Sequence, residues 1–261
     1  MDMGTNMGTD IVITMKKKTN FLDIFIKKTT FWDAELLRGR ADIHSHCLPK
    51  VDDGMQSVEE AVEALIAMAR HGVERVFFTP HVMEDYPENS TAFLKERFAE
   101  FQKIVSKNCT IEVILAAEYM LDAAFYKHLG ELLCFKDNHL LIEMSYLSPS
   151  PNLDNTIYNL QVKGYNPILA HPERYLFMDR EDYQHLKHIG CKYQLNLMSL
   201  SGQYGKRAYD VGWYLLQNGL YDFAGTDMHN YKVFHRSMSR LKLTKQEITL
   251  IQNLIDKNRE L

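Results

Sequence analysis

The sequence predicts an α/β fold, a barrel of seven βα units in a single domain. Apolar runs rich in β-branched and aromatic residues recur along the chain, and segments of helical periodicity separate them. No repeat or Pro/Gly/Ser-rich linker interrupts the series, so one domain is expected. Metal-ligand side chains end nearly every run, and only a closed barrel brings all those ends around one mouth. An open doubly wound sheet is the second possibility.

Seven segments carry the pattern of β-strands. Each is short and apolar, and each ends in a polar or titratable residue. In chain order the predicted strand segments are 41–46, 75–81, 112–120, 139–145, 166–173, 192–199 and 221–229. This order of strands, with helical segments between them, is typical of right-handed βα crossovers.

The helix between the first two strands has the clearest limits. Ser57 and Glu60 have the spacing of a capping box, apolar residues follow at helical intervals, and Gly72 ends the pattern. Further helices are predicted at 91–107, 153–163, 181–189, 206–218 and 244–258. In the last of these, Thr244 and Glu247 repeat the capping-box spacing.

Residues 1–40 precede the first predicted strand and form an N-terminal extension to a domain that spans 41–261. The basic run Lys16–Lys18 resembles the start of a signal peptide, but charged residues break the apolar stretch that follows it. We therefore expect neither a secretory signal nor a transmembrane segment. The segment Phe21–Trp32 is predicted to be an amphipathic helix that either docks a partner or, as we expect, covers one end of the domain.

Composition and motifs exclude several classes of function. The formal net charge of -4 gives no overall attraction to nucleic acid, so nucleic-acid binding is disfavoured. The four cysteines form no CxxC pair, which indicates a reducing, cytoplasmic location. No cysteine is followed six residues later by arginine, as a cysteine-dependent tyrosine phosphatase requires. The sequence also lacks the GxSxG motif of serine hydrolases and the GxxxxGK[ST] phosphate loop.

The strongest site signal is "DIHSHCLPKVDDG", residues 42–54. Residues two apart in a strand face the same side, so His44 and His46 project together as a bidentate platform for a metal ion. The turn that follows returns Asp53 to the same mouth, and it favours Asp53 over Asp52 as a ligand.

The other strand ends supply further side chains of metal-ligand type. In chain order these are His81, Glu118, Glu143, His171, Asp227 and His229. If the barrel closes, four carboxylates come within a few ångströms of one another, and they cannot all stay ionised without a compensating cation. Five histidines and four carboxylates are enough for two or three divalent ions, and this mixed set suits Mn²⁺, Fe²⁺ or Zn²⁺.

Two arginines follow strands close to the predicted mouth. Arg174 lies in "AHPER" after the fifth strand, and Arg236 lies in "TDMHNYKVFHR" after the seventh. The planar guanidinium of arginine pairs bidentately with phosphate oxygens. Metal ligands beside arginine therefore predict a phosphate ester as substrate, with Arg174 and Arg236 as the catalytic groups that contact its phosphate.

Taken together, the motifs resemble the PHP superfamily (polymerase and histidinol phosphatase), and most closely its bacterial CpsB/CapC-type protein-tyrosine phosphatases of capsule and exopolysaccharide synthesis. The resemblance runs from Asp42 to beyond His229, and the motifs that carry it are "DIHSHCLPKVDDG", "TPH", "AAEYM", "LIEMS", "AHPER" and "GTDMHN". It implies a PHP-type distorted (β/α)7 TIM-like barrel with a metal cluster, typically of manganese, at the C-terminal ends of the strands.

Position by position, the resemblance implies the same nine metal ligands, with Glu118 bridging two ions. Arg174 matches the family's phosphate-contacting arginine. The loop after "DMHN" differs in spacing from the family pattern, and Arg236 is the nearest match to the second arginine.

The resemblance implies a cytoplasmic, manganese-dependent phosphatase. Its substrate would be phosphotyrosine on a protein, namely the tyrosine-rich tail of a membrane-associated bacterial autokinase that controls capsule synthesis. Two alternatives stay open. The same cluster would also suit a small phosphomonoester such as histidinol phosphate. A PHP domain that has lost catalysis and serves as a binding module is disfavoured, because every family ligand position is filled.

Overall fold

Short parallel strands, joined by helices, make up the computed structural model, which describes residues 27–261. Each of the seven predicted segments contains strand residues, so the predicted strand series is confirmed. Within residues 27–261 the strands are β1 (Thr29–Thr30), β2 (Ala41–Asp42), β3 (Arg75–Phe78), β4 (His81–Val82), β5 (Glu112–Leu115), β6 (Glu118–Met120), β7 (His139–Glu143), β8 (Asn166–Ala170), β9 (Lys192–Asn196), β10 (Phe223–Gly225) and β11 (Lys242–Leu243).

Parallel pairing arranges the strands in the order of the chain. One sheet has the order β10-β9-β8-β7-β6-β4, and a second has the order β2-β3-β5. The first and seventh segments meet at an isolated parallel bridge between Ser45 and Met228, where the amide of His46 donates to the Met228 carbonyl at 3.0 Å. The mixed α/β architecture of a single domain is confirmed. The hydrogen-bonded sheets themselves are open, so a closed barrel is not confirmed.

The predicted helices are present, with ends within three residues of those expected. For the described residues, the helices are α1 (Val58–Arg70), α2 (Thr91–Asn108), α3 (Leu153–Val162), α4 (Arg180–His188), α5 (Gly205–Gln217), α6 (Tyr231–Arg240) and α7 (Lys245–Ile255). Inside residues 27–261 there is no helix whose length and apolar character would let it cross a membrane.

The two predicted capping boxes have different outcomes. At α7 the box is complete, since Thr244 and Glu247 each accept a hydrogen bond from the other's backbone amide. At α1 only half of the prediction is right, because the Ser57 hydroxyl accepts from the Glu60 amide at 3.0 Å. The Glu60 carboxylate instead accepts from the amide of Gln56 at 3.2 Å.

Helix α6 was not predicted. Its first residue follows the metal-ligand motif directly, and most of its side chains are polar, which hides the helical pattern in the sequence. The structure shows the cap that starts it, since the Asn230 side chain accepts a hydrogen bond from the amide of Val233 at 3.1 Å. Phe234 and Met238 then bury the inner face of the helix.

The predicted helix over Phe21–Trp32 is wrong where it can be compared. Its first six residues lie outside the described part of the chain, but Thr29–Thr30 forms β1 and pairs antiparallel with β11. Phe31 is then buried in the core, and the Trp32 ring stacks on His71 with centroids 3.9 Å apart. The division of the chain at residue 41 stays a prediction.

Two apolar clusters support the strands. The larger one fills the space between the strands and the helices. The smaller one draws residues from most strand segments, and its strand-segment members are Ile43, Phe77, Ala116, Leu141, Ile168, Ala170 and Phe223. Polar side chains at one end of the strand series lie next to this smaller cluster in sequence, and they form the site described below.

Candidate metal centre

The structure brings all nine predicted ligand side chains together at one end of the strand series. Eight of them form three overlapping groups, and within each group the candidate ligand atoms lie within 4.8 Å of one another. The groups are His46, Asp53, His81 and His229; His44, His46, Glu118 and Asp227; and His81, Glu118 and Glu143. His171 adjoins them, because its Nε2 lies 3.1 Å from Oε1 of Glu118.

Glu118 lies at the centre of the cluster and is fully buried. Its Oε2 atom is 3.2 Å from Nε2 of His44, 3.2 Å from Nδ1 of His81 and 3.4 Å from Nε2 of His46. Burial raises the pKa of Glu118, but the facing imidazoles, His44 foremost, lower it to well below its ordinary value. A carboxylate that faces imidazoles of several candidate ligands would be well placed to bridge two cations.

Several buried polar atoms of the cluster make no hydrogen bond within residues 27–261. They are Nδ1 of His81, Oε2 of Glu118, Oε1 of Glu143 and Nδ1 of His171. Nδ1 of His81 and Oε1 of Glu143 lie 2.8 Å apart, yet their angles do not suit a hydrogen bond. Buried polar atoms normally have partners, and atoms that crowd without bonding are expected when all of them face a cation. The side chains present therefore fit a cluster of divalent ions.

The electrostatics of the cluster also favour bound cations. Burial lowers the pKa of His44, but the Glu118 and Asp227 carboxylates outweigh this effect and raise the pKa to about 9. Without metal ions, these two carboxylates therefore favour the protonated form of His44. Divalent cations supply the same positive charge and leave the imidazole nitrogens free as ligands.

Asp52 orients the metal-binding face of His46. The Nδ1–H group of His46 donates to Oδ2 of Asp52 at 2.8 Å, an assignment made from the geometry. Asp52 is buried and also accepts from the amides of Gly54 and His81. Burial raises the pKa of Asp52, but the charge of His46 outweighs this effect and the pKa falls to about 2. Asp53 is 58% exposed and approaches His81 and His229 instead. The sequence separated the two aspartates but did not reveal that Asp52 is a positioning residue.

The sixth predicted strand supplies no ligand, but its amide side chains hold two ligands in place. The Nδ1–H of His44 donates to Oε1 of Gln194 at 3.0 Å. The Nδ2 atom of Asn196 donates to Oδ2 of Asp227 at 2.7 Å. Both amides are buried, and in strand β9 they alternate with the apolar side chains of Tyr193 and Leu195. That alternation was the signal in the sequence by which Gln194 and Asn196 could have been found.

A cavity of about 390 Å³ opens onto the cluster. Ligands form one wall, and Arg174 lies beside them, where its Nη1 donates to Oδ2 of Asp227 at 2.8 Å. The cavity is also lined by Tyr146, Met198, Gln203, Tyr204, Asn230 and Val233. A phosphate ester would meet cation ligands on one side of this space and a guanidinium on another.

Arg236 is not brought to this cavity. It lies on the exposed face of α6, whereas Asn230 and Val233, near the start of that helix, line the cavity. The role predicted for Arg236 has no support from this geometry and stays a prediction.

Comparisons with known proteins show similarity to tyrosine-protein phosphatases. The tyrosine-protein phosphatase YwqE of Bacillus subtilis is 29% identical over 229 residues, which cover 84% of this chain and 90% of that protein. The tyrosine-protein phosphatase CpsB of Streptococcus pneumoniae is 29% identical over 201 residues, which cover 72% of this chain and 82% of the relative.

Solved structures give the same result at the level of the fold. A structure described as YwqE from B. subtilis and CpsB from S. pneumoniae, unique metal-dependent tyrosine phosphatases, has a TM-score of 0.72 and 27% identity, covering 85% of this chain and 93% of that chain. The phosphotriesterase homology protein of Escherichia coli has a TM-score of 0.56 at 12% identity, covers 86% of this chain and 99% of that chain, and shows likeness of fold alone. Residues 40–248 match the family model for capsular polysaccharide synthesis, CpsB/CapC. The chain therefore belongs to the CpsB/CapC family.

Proposed function

We propose that this chain is a metal-dependent protein-tyrosine phosphatase that acts in capsule or exopolysaccharide synthesis. The observation that carries the proposal is a largely buried cluster of five histidines and four carboxylates, with Arg174 beside the cavity that opens onto it. The names of the relatives, tyrosine-protein phosphatases, and the description of YwqE and CpsB as metal-dependent support it.

In the proposed enzyme the nine ligands hold two or three divalent ions. Manganese is our first choice, with Fe²⁺ or Zn²⁺ as alternatives, since imidazole and carboxylate ligands together suit all three. The bound ions would lower the pKa of water and neutralise phosphate charge. Asp52 and Gln194 keep the imidazoles of His46 and His44 turned toward the cluster, which preserves this ligand set.

The cavity suits an aryl phosphate. Arg174 pairs with phosphate oxygens through its planar fork and stabilises the charge that develops on them. Tyr146, Met198 and Val233 offer apolar surface to an aromatic ring. A tyrosine phenolate, with a pKa near 10, is a fair leaving group, so little acid assistance is needed.

The substrate we propose is phosphotyrosine on a protein, the tail of a membrane-associated bacterial tyrosine kinase. The chain itself would act in the cytoplasm, as its cysteine usage indicates. We also propose that the domain from residue 41 is a distorted PHP-type (β/α)7 barrel. The Ser45–Met228 bridge between the first and seventh segments and the small apolar cluster drawn from most segments support this arrangement.

A comparison of substrates tests the proposal. Hydrolysis rates of a phosphotyrosyl peptide, a phosphoseryl peptide and histidinol phosphate are measured side by side with added Mn²⁺. We expect the phosphotyrosyl peptide to be preferred and Glu118→Gln to abolish its hydrolysis. His185→Ala is the matched control, because this exposed histidine lies on α4 and pairs with Asp154, away from the cluster. A preference for histidinol phosphate would overturn the substrate class.

A further inference from the structure

The guanidinium of Arg174 is enclosed between two tyrosine rings. Its central carbon lies 4.4 Å from the ring centroid of Tyr146 and 4.1 Å from that of Tyr204. The two tyrosines come from separate loops, one after β7 and one before α5. Contact with two rings leaves the edge of the guanidinium for hydrogen bonds, because a cation contacts a ring through the ring's face.

On the Tyr204 side, a ring of contacts links the Arg174 guanidinium to Asp227, Asn196 and Tyr204. Arg174 donates to Oδ2 of Asp227 at 2.8 Å, and Asn196 donates to the same oxygen at 2.7 Å. The Nδ2 atom of Asn196 is also 3.2 Å from the hydroxyl of Tyr204, whose ring lies against Arg174. The guanidinium is therefore tied to a candidate metal ligand both directly and through Asn196 and Tyr204.

The other side is fixed through the backbone and a second aromatic ring. The carbonyl of Tyr146 accepts from the amide of Leu176 at 2.9 Å. The Tyr146 ring lies 6.1 Å from that of Tyr175, which is buried and whose hydroxyl donates to the Ala170 carbonyl. Tyr146 is thus supported by the loop that follows β8, which also carries Arg174.

We propose that Tyr146 and Tyr204 are positioning residues that hold the Arg174 guanidinium in one orientation for phosphate. A free arginine side chain has several rotatable bonds, and ordering it on binding reduces affinity. Here the tyrosines order it before the ligand arrives. The inference rests on the phosphate-binding role of Arg174 in the proposed function, and it adds residues that hold this group in place.

Binding of inorganic phosphate to the metal-loaded protein tests the proposal. Calorimetric titration should show about tenfold weaker binding for Tyr204→Leu and for Tyr146→Leu. The ring-retaining variants Tyr204→Phe and Tyr146→Phe should lose less than about threefold. Metal content is measured for every variant, and Tyr158→Leu, an exposed tyrosine on α3, is the matched control. Unchanged phosphate affinity in both leucine variants would overturn the proposal.

A double-mutant cycle separates positioning from direct contact with phosphate. In an Arg174→Ala background, each leucine substitution should weaken phosphate binding no further, because the tyrosines act through Arg174. If binding by Arg174→Ala falls below detection, Arg174→Lys takes its place in the cycle. A full tenfold loss that persists in this background would show that the tyrosines contact phosphate themselves or only support the fold, and the proposal would be wrong.

A measurement on the unmutated chain covers the case in which the leucine variants lose metal or fail to fold. In Zn²⁺-loaded protein, the NMR order parameter of the Arg174 Nε–H group should approach the backbone value of about 0.85. A value below about 0.6 would contradict a fixed guanidinium. None of these tests uses an organic phosphate, so their outcome does not depend on whether the protein prefers phosphotyrosine.

Discussion

The imidazole of His46 is held between Asp52 and the centre of the cluster. Its Nδ1 lies 2.8 Å from Oδ2 of Asp52, and its Nε2 lies 3.4 Å from Oε2 of Glu118 and 3.4 Å from Oδ1 of Asp227. Removing the charge of Asp52 should therefore weaken metal binding without removing a ligand. For Asp52→Asn we expect a 10- to 100-fold loss of metal affinity.

Competition with a chelator of known affinity measures this loss. Asp85→Asn is the control, since Asp85 is an exposed aspartate four residues beyond His81. An unchanged metal affinity for Asp52→Asn would show that the ring of His46 is oriented by other contacts.

Removal of the metal ions should lower the stability of the fold. Each ion whose free concentration is about a thousand times its Kd contributes about 4 kcal/mol. For a chain of 261 residues, the loss of one such ion corresponds to a fall in Tm of about 8–16 °C on chelation. Scanning calorimetry with and without EDTA measures the change, and added Mn²⁺ should restore the original Tm. An equal Tm in both samples would argue against metal ions in this cluster.

Arg174 and Arg236 should differ sharply in their effect on catalysis. Arg174 lines the cavity and contacts Asp227, so Arg174→Ala should reduce kcat/KM for a phosphotyrosyl peptide by at least about 100-fold. Arg236 is exposed on α6, and Arg236→Ala should change kcat/KM by less than about threefold. Metal content is measured alongside, because Asp227 loses a partner in the first variant. A large loss in the second would establish the role predicted for Arg236 from the sequence.

Three of the four cysteines, Cys47, Cys134 and Cys191, should resist modification, and activity should not depend on them. Burial raises the pKa of the Cys134 thiol to about 11, so its reactive thiolate is scarce at pH 8 and increases about tenfold with each pH unit toward 11. Burial also raises the pKa of the Cys47 and Cys191 thiols to about 12. Iodoacetamide at pH 8 should therefore leave hydrolysis intact. Rapid inactivation accompanied by labelling of one of these cysteines would contradict both the burial and the metal-dependent chemistry.

The strand series, and the meeting of the candidate ligands at one end of it, could be predicted because both depend on local patterns. An apolar run that ends in a titratable residue can be recognised in the sequence itself. Parallel strands then bring the C-terminal ends of these runs together. Glu118 and Glu143 stood out because each interrupts an apolar strand.

The rest depends on contacts between distant parts of the chain. β1 pairs with β11 across more than two hundred residues, so no local pattern indicated a strand at Thr29. The sequence favoured Asp53 over Asp52 as a ligand, but the contacts that Asp52 makes with His46 and His81 arise only in the folded turn. Gln194 orients His44 across 150 positions, which again is information from the tertiary structure.

The candidate ligands extend from His44 to His229, and Ser45 bridges to Met228 at the point where these two ends of the set meet. A cation held by His44 and Asp227 closes a chain loop that contains most of the domain. Such an ion would join two distant parts of the chain, and it would reduce the conformational freedom of the unfolded chain as a disulfide does. All four cysteines of the chain are free. Coordination by histidine and carboxylate would thus give this protein the long-range cross-link that disulfides provide in secreted domains, and a nascent chain could form it only after Asp227 has been synthesised.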